Sequence, residues 1–315
     1  MRIGVMAAGA VGGYFGARLA AAGHEVHFIA RGAQLEAIRR NGLKVESPLG
    51  DLHLKDAKAT DDPKQVGTVD VVLFAVKLWD TERAAELARP MIGPDTRLIT
   101  LQNGVDSVER IAPILGADKV LGGTAHIATV VAEPGVIRHT SQFARLRAGR
   151  IDGKPDVMLA RFVEAGQAAG IDVAASAEIN ADRWKKFVFL AALAGATGAT
   201  RQPLGAILAD ADTRALFVAL MREVIALAAA KGVALPQNFL DEQIKFAENA
   251  PKSMKASLLH DLERGNRLEL DWLTGAVTRL GRELKVPTPM SDAIYAVLKL
   301  HRMGARTYGS RDQSN

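Results

Sequence analysis

The sequence predicts an α/β fold in two parts: a doubly wound, mostly parallel sheet, then an all-helical domain. From Met1 to about Leu121, short β-branched runs alternate with helical patterns, as in βαβ units. Beyond Asn180 the texture changes to long Ala- and Leu-rich segments of 3.6-residue periodicity, with no convincing strand. At 315 residues, 48% of them apolar, the chain can fill two cores of ordinary size.

The first five expected strands are Ile3–Met6, Glu25–Ile29, Val69–Val76, Arg97–Leu101 and Lys119–Leu121, with a helix over Val11–Ala22 that Gly23 ends. Ala125–Val131, Val136–His139 and Arg145–Ala148 read as shorter strands around the turn Glu133-Pro134-Gly135, an antiparallel extension of the same sheet. This places a first domain at residues 1–175, a helical domain at 176–304 and a polar C-terminal tail at 305–315. The expected helices are Ala181–Ala194, Asp212–Lys231, Asn238–Glu248, Met254–Glu263, Leu268–Lys285 and Ser291–Met303, broken at Pro236, Pro251, Gly265 and Pro287-Thr288-Pro289. In the fifth, Leu270, Leu273, Val277, Leu280 and Leu284 form one apolar stripe, with Glu269 off it. That helix or Asp212–Lys231 is a candidate homodimer face, although such stripes more often serve the chain's own core.

Composition removes several classes of function. There are no cysteines, so disulfides, thiolate metal sites and a cysteine nucleophile are excluded, and no metal site is expected. A net charge of +5 favours anionic ligands. The basic residues are scattered and aromatics are only 5%, which argues against nucleic acid. No apolar run approaches the ~20 residues of a membrane span; Phe187–Thr200 is shorter and Gly-broken, and reads as a buried helix. The opening carries no basic-then-apolar leader, so the expected location is cytoplasmic.

Immediately after the first strand, Ala7-Ala8-Gly9-Ala10-Val11-Gly12-Gly13-Tyr14-Phe15-Gly16 opens a helix, where the dinucleotide fingerprint of a Rossmann-type domain belongs. Residues Ala7 to Gly12 are therefore assigned to a cofactor. Gly9 lets the backbone approach a pyrophosphate, Gly12 permits tight helix–strand packing, and the helix N-terminus faces the phosphates. The usual first glycine is Ala7, so the tight turn is made with a methyl group present. At the end of the second strand, where an NAD enzyme carries Asp or Glu for the ribose, stands Arg31. A guanidinium attracts a 2′-phosphate, which points to NADP; the alternative is a solvated surface arginine. Lys77 and Asn103 follow the third and fourth strands, placed to meet the cofactor's phosphate or ribose and its nicotinamide; each is as readily a loop-capping residue.

Hydride delivery to a carbonyl creates an oxyanion that must be protonated. The seven histidines, His24, His27, His53, His126, His139, His260 and His301, share no spacing with an acidic partner and read as structural, His126 being best placed. Asp182-Arg183-Trp184-Lys185-Lys186-Phe187 sets two lysines at the mouth of an apolar helix, where desolvation lowers a pKa. Alternatively both snorkel to water.

Taken with Gln102-Asn103-Gly104, Trp184-Lys185-Lys186, Ser257-Leu258-Leu259-His260-Asp261 and Glu269-Leu270-Asp271, these features resemble the ketopantoate reductase (2-dehydropantoate 2-reductase) family along nearly the whole chain. The resemblance implies NADPH-dependent reduction of a branched 2-oxo acid to pantoate, toward coenzyme A. It implies Lys186 as general acid, Asn103 touching cofactor and substrate, and Ala128 as a backbone contact to the cofactor. It makes Ser257 a substrate contact and Glu269 a carboxylate near ribose and lysine, which raises the lysine's pKa. Where the family carries substrate-facing asparagines, this sequence has Leu190, Ala194 and Leu204. Either Arg201, Thr197 or Thr200 compensates, or the substrate is more apolar. The alternatives are a reductase of another 2-oxo acid or a 3-hydroxy acid, or an NADP-binding sensor without turnover.

Overall fold

The computed structural model describes residues 1–305, so the expected polar tail lies outside the described residues except for Ala305. The chain divides into two compact units, Met1–Asn180 and Ala181–Asn315. In the first, the strands are β1 (Arg2–Met6), β2 (Glu25–Ile29), β3 (Leu43–Glu46), β4 (Leu52–Leu54), β5 (Lys58–Thr60), β6 (Val71–Phe74), β7 (Arg97–Thr100), β8 (Val120–His126), β9 (Thr129–Glu133), β10 (Val136–His139), β11 (Arg145–Gly149) and β12 (Asp172–Ala175). Its helices are α1 (Ala10–Ala21), α2 (Gly32–Asn41), α3 (Thr81–Ala88), α4 (Ser107–Leu115) and α5 (Val157–Ala168).

Eight strands form the main sheet in the order β12-β11-β8-β7-β6-β1-β2-β5. Those from β8 to β5 run parallel; β11 pairs antiparallel with β8, and β12 parallel with β11. Side chains alternate between two cores. Ile3, Val5, Leu73 and Leu121 pack with Phe15 and Leu19 of α1 and Phe162 of α5. Met6, Phe74, Leu98 and Val120 pack with Ala84 and Ala88 of α3 and Ile111 of α4. Helices thus cover both faces. The chain leaves β1 for β2 on one side and β6 lies on the other, so the strand order reverses at the carboxyl end of β1.

One expectation fails here. Val136–His139 and the strand before it do not extend the main sheet: β9 and β10 belong to a separate four-stranded sheet, β4-β3-β10-β9. Of the expected strands, Arg145–Ala148 (β11) does extend the main one, and Ala125–Val131 is divided between the end of β8 and the start of β9. The reason lies in α1, which is buried from Gly12 to Ala17 and at Leu19. It packs on β1 and β2 of the main sheet and on β3, β4, β9 and β10 of the second. A helix apolar on opposite sides needs cover on both.

In the second unit the helices are α6 (Ile179–Thr200), α7 (Leu204–Ala209), α8 (Ala211–Ala230), α9 (Phe239–Asn249), α10 (Ser257–Glu263), α11 (Thr274–Leu284) and α12 (Pro289–Leu298), without a strand among the described residues. α7, α9, α11 and α12 pack on α8. The expected helix Leu268–Lys285 is instead a 3₁₀ turn, Leu270–Trp272, followed by α11, with a break at Leu273 (φ −104°, ψ −98°). Tertiary contacts account for it: a Cβ on Gly275 would stand 2.8 Å from the Tyr295 ring, and the Tyr295 hydroxyl donates to Asp271 at 2.8 Å. Leu270, Leu273, Val277 and Leu280 are still buried, so the stripe serves the chain's own core. The last expected helix, Ser291–Met303, is α12 from Pro289 and then a 3₁₀ turn, Lys299–His301. Glu223 of α8 is buried, and its carboxylate accepts from the Met290 and Ser291 amides at 2.7 and 2.9 Å and the Ser291 hydroxyl at 2.6 Å. It satisfies otherwise orphaned donors of α12 and opposes that helix's positive dipole end. No described helix is long and apolar enough to cross a membrane.

Candidate active site

The turn after β1 sits at the strand-order reversal. Ala7 adopts φ +75°, the left-handed region in which the missing glycine would be at ease. Ala8 is held from both sides: its amide donates to the Ile29 carbonyl at 2.8 Å and its carbonyl accepts from Gln34 Nε2 at 2.9 Å. Gly9 is the N-cap of α1, and a Cβ there would meet nothing within 4 Å. The backbone is open on that side, and α1 has no acidic residue in its first turn to offset its positive end. Ala10 and Val11 begin α1. A Cβ on Gly12 would stand 2.4 Å from the Ala7 carbonyl, 3.0 Å from Val5 Cγ1 and 3.1 Å from Ala75 Cβ, so this position has space only for glycine.

The other candidates of the first unit follow the carboxyl ends of neighbouring strands. Arg31 is exposed, follows β2 and caps the start of α2, with Gly32 at φ +52° beside it. Lys77, after β6, is exposed, its ammonium 5.6 Å from the Trp79 ring centroid. Asn103 follows β7, before Gly104 at φ +92°. Ala128, two residues past β8, is exposed. Its amide donates to Ser141 Oγ at 3.0 Å and its carbonyl accepts from the Thr140 amide at 2.9 Å.

In the second unit, Lys185 and Lys186 part company. Lys185 pairs with Asp182 at 3.7 Å, while burial brings the Lys186 amine down to about 8. The net direction at this lysine is downward, and burial is its cause. Trp184 is buried and packs edge-on against Phe187 at 6.0 Å, fixing the start of the helix. Glu269 caps the 3₁₀ turn Leu270–Trp272 and is partly buried, whereas Ser257 is exposed at the first position of α10. Of the polar residues put forward as compensating, Thr197 and Thr200 donate their hydroxyl protons to the Leu193 and Ala196 carbonyls at 2.6 and 2.7 Å. Ala194 and Leu204 are buried in the unit's interior and Leu190 is partly buried.

Two shaping roles escaped sequence reasoning, one of them that of a residue, Gln102, already within the Gln102-Asn103-Gly104 motif. Gln102, 7% exposed, donates to the Val76 carbonyl at 3.1 Å and Thr81 Oγ1 at 2.8 Å, tying the turn that bears Lys77 to the strand that leads to Asn103. Gln34 joins Ala8 to the second sheet by accepting from the Gly135 amide at 2.9 Å. Among the described residues no cluster of His, Asp or Glu is arranged to hold a metal ion.

Two family profiles match the chain: "Ketopantoate reductase PanE/ApbA" over residues 3–153 and "Ketopantoate reductase PanE/ApbA C terminal" over residues 178–302. A 2-dehydropantoate 2-reductase from Mesorhizobium japonicum is 33% identical, the match covering 95% of this chain and 97% of that one. A PanE/ApbA family ketopantoate reductase from Ralstonia eutropha superposes with a TM-score of 0.88 at 33% identity, covering 96% and 98% of the two chains. A D-mandelate dehydrogenase, solved with NADH and anilino(oxo)acetate, shares the fold at 18% identity, with a TM-score of 0.87 and 96% and 98% coverage.

Proposed function

The chain belongs to the ketopantoate reductase family and is an NAD(P)-dependent oxidoreductase, and we propose that it reduces 2-dehydropantoate to pantoate with NADPH. The observation that carries this reading is Lys186, an amine that burial holds at about 8. Such a group is mostly protonated at neutral pH yet acidic enough to give up its proton, as a general acid requires.

The turn Ala7–Gly12 fits a dinucleotide: the backbone at Gly9 is open, Gly12 brings α1 close to the strands, and the unopposed end of α1 favours a pyrophosphate. Arg31, exposed and cationic where a carboxylate would select NAD, favours the 2′-phosphate of NADP. Lys77 reaches phosphate or ribose, and the Ala128 backbone makes a further contact. The cofactor supplies a hydride to the carbonyl carbon. Lys186 gives its proton to the carbonyl oxygen as charge develops there and is reprotonated from solvent. Asn103 orients the carbonyl, Ser257 donates to the substrate carboxylate, and Glu269 holds ribose and lysine in place.

Leu190, Ala194 and the committed hydroxyls of Thr197 and Thr200 favour a second reading, a 2-oxo acid with an apolar side chain. Each polar group of ketopantoate buried without a partner there costs about 1–3 kcal/mol. The deciding measurement is NADPH oxidation with ketopantoate, beside NADH and a panel of apolar 2-oxo acids. Saturable turnover selective for NADPH and ketopantoate is expected. Turnover confined to the apolar acids establishes the second reading, and tight NADPH binding without turnover on any of them refutes both in favour of a sensor.

A further inference from the structure

His139 is the most fully enclosed histidine of the first unit, 2% exposed, and the reaction outlined above makes no use of it. Its Nε2 lies 3.1 Å from the Phe143 carbonyl and 2.8 Å from Ser141 Oγ. A carbonyl can only accept, so Nε2 carries the proton. Nδ1 is then the acceptor for the Ser47 hydroxyl at 2.8 Å, and Ser47 Oγ in turn accepts from the Leu49 amide at 3.0 Å. The ring leans on Tyr14 of α1 with centroids 4.8 Å apart. Burial and the nearby Arg18 guanidinium both lower its pKa, so the imidazole is neutral.

The far side of this network is Ala128. Ser141 gives its proton to the Phe143 carbonyl at 2.7 Å, which leaves its oxygen to accept from the imidazole and from the Ala128 amide. The amide is thereby occupied, and the exposed Ala128 carbonyl accepts from the Thr140 amide at 2.9 Å and only at 3.4 Å from the exposed Thr140 hydroxyl, a long contact that a closer donor can replace. Its position gives this meaning. Arg31 follows β2 and Ala128 follows β8, four strands away in the sheet order, roughly 19 Å at the usual ~4.8 Å per strand. With the 2′-phosphate at Arg31, Ala128 stands at the opposite, nicotinamide end.

We propose that His139, acting through Ser141, is a positioning residue of the cofactor site, fixing the Ala128 peptide so that its carbonyl accepts a hydrogen bond from the nicotinamide carboxamide. This rests on the cofactor reading above. The test is titration of the full chain with NADPH and, separately, with adenosine 2′,5′-bisphosphate, which lacks the nicotinamide half. Ser141→Ala and His139→Ala should each weaken NADPH on the order of 3- to 10-fold, the weight of one hydrogen bond, and leave the bisphosphate within twofold. The double variant should be no weaker than the worse single one, because the two residues act as a unit. His139→Gln, which keeps an N–H near the position of Nε2, should recover most of the loss. Unchanged NADPH affinity in Ser141→Ala, a part-exposed position that leaves the core intact, overturns the proposal, and so does an equal loss for the bisphosphate. A wild-type chain that binds neither probe overturns the cofactor reading itself, and the proposal with it.

Discussion

Replacing Lys186 by methionine separates the two consequences of a buried amine. Burial lowers this lysine from 10.5 to about 8, which at ~1.4 kcal/mol per unit corresponds to about 3 kcal/mol. Because the folded value lies below the unfolded one, the folded chain binds fewer protons between pH 8 and pH 10.5, and stability rises with pH across that window. Below it the cost of keeping the ammonium buried is present in full. Lys186→Met removes the charge at similar side-chain length. It should therefore be more stable than wild type by on the order of 2 kcal/mol at pH 7, with the gap shrinking below about 1 kcal/mol near pH 10. Trp184 and Trp272, both in the helical unit, give the fluorescence signal for urea unfolding at a series of pH values. Turnover should move the other way, falling by ~10²-fold or more. In the wild type, reduction should decline as pH rises through about 8 while the reverse oxidation, which needs the neutral amine, should increase. A variant less stable than wild type at pH 7, or a gap that does not change with pH, would refute the claim that burial holds this amine low.

Further outcomes follow from the cofactor turn and the helical core. Ala7→Gly relieves a left-handed alanine worth about 1–2 kcal/mol and gives back part of it as chain entropy, so a net gain of about 0.5–1 kcal/mol is expected in urea unfolding, with NADPH affinity undiminished. Gly12→Ala drives a methyl to 2.4 Å from a backbone carbonyl and should cost about 2 kcal/mol or more while weakening NADPH in the same titration. Arg31→Ser should weaken NADPH by roughly 10- to 100-fold, the weight of a charge-assisted bond, and leave NADH unchanged; equal losses for both would remove Arg31 from the 2′-phosphate site. Glu223→Ala leaves three donors at the α12 terminus without their acceptor and should cost about 3 kcal/mol in the urea midpoint of the helical unit.

What could be read from the sequence was what is encoded locally. β1, α1 and β2 follow from a glycine-punctuated switch of period, and the vacancy of the first glycine already announced the strain found at Ala7. The second sheet was not legible: β4 is three residues long, and β3 finds its partner β10 some ninety positions away, so no local pattern announces either. The same holds for the polar anchors. Ser47 and His139 are 92 residues apart and Glu223 and Ser291 68, and a lone histidine or glutamate carries no mark of a distant partner. Between Lys185 and Lys186 the sequence offered only the family resemblance, because adjacent cations in a helix differ in direction alone; the Asp182 pair and the burial of the neighbouring amine distinguish them.

The position of α1 between two sheets bears on how such a protein changes over time. A helix enclosed on both sides has few substitutions that are neutral for folding, so the turn after β1 is anchored to positions that tolerate little drift. Arg31 lies on the exposed start of the next helix, with no core contact to defend. If Arg31 sets cofactor preference as proposed, that preference is a trait one surface codon alters, whereas the turn after β1 is tied to the packing of the domain.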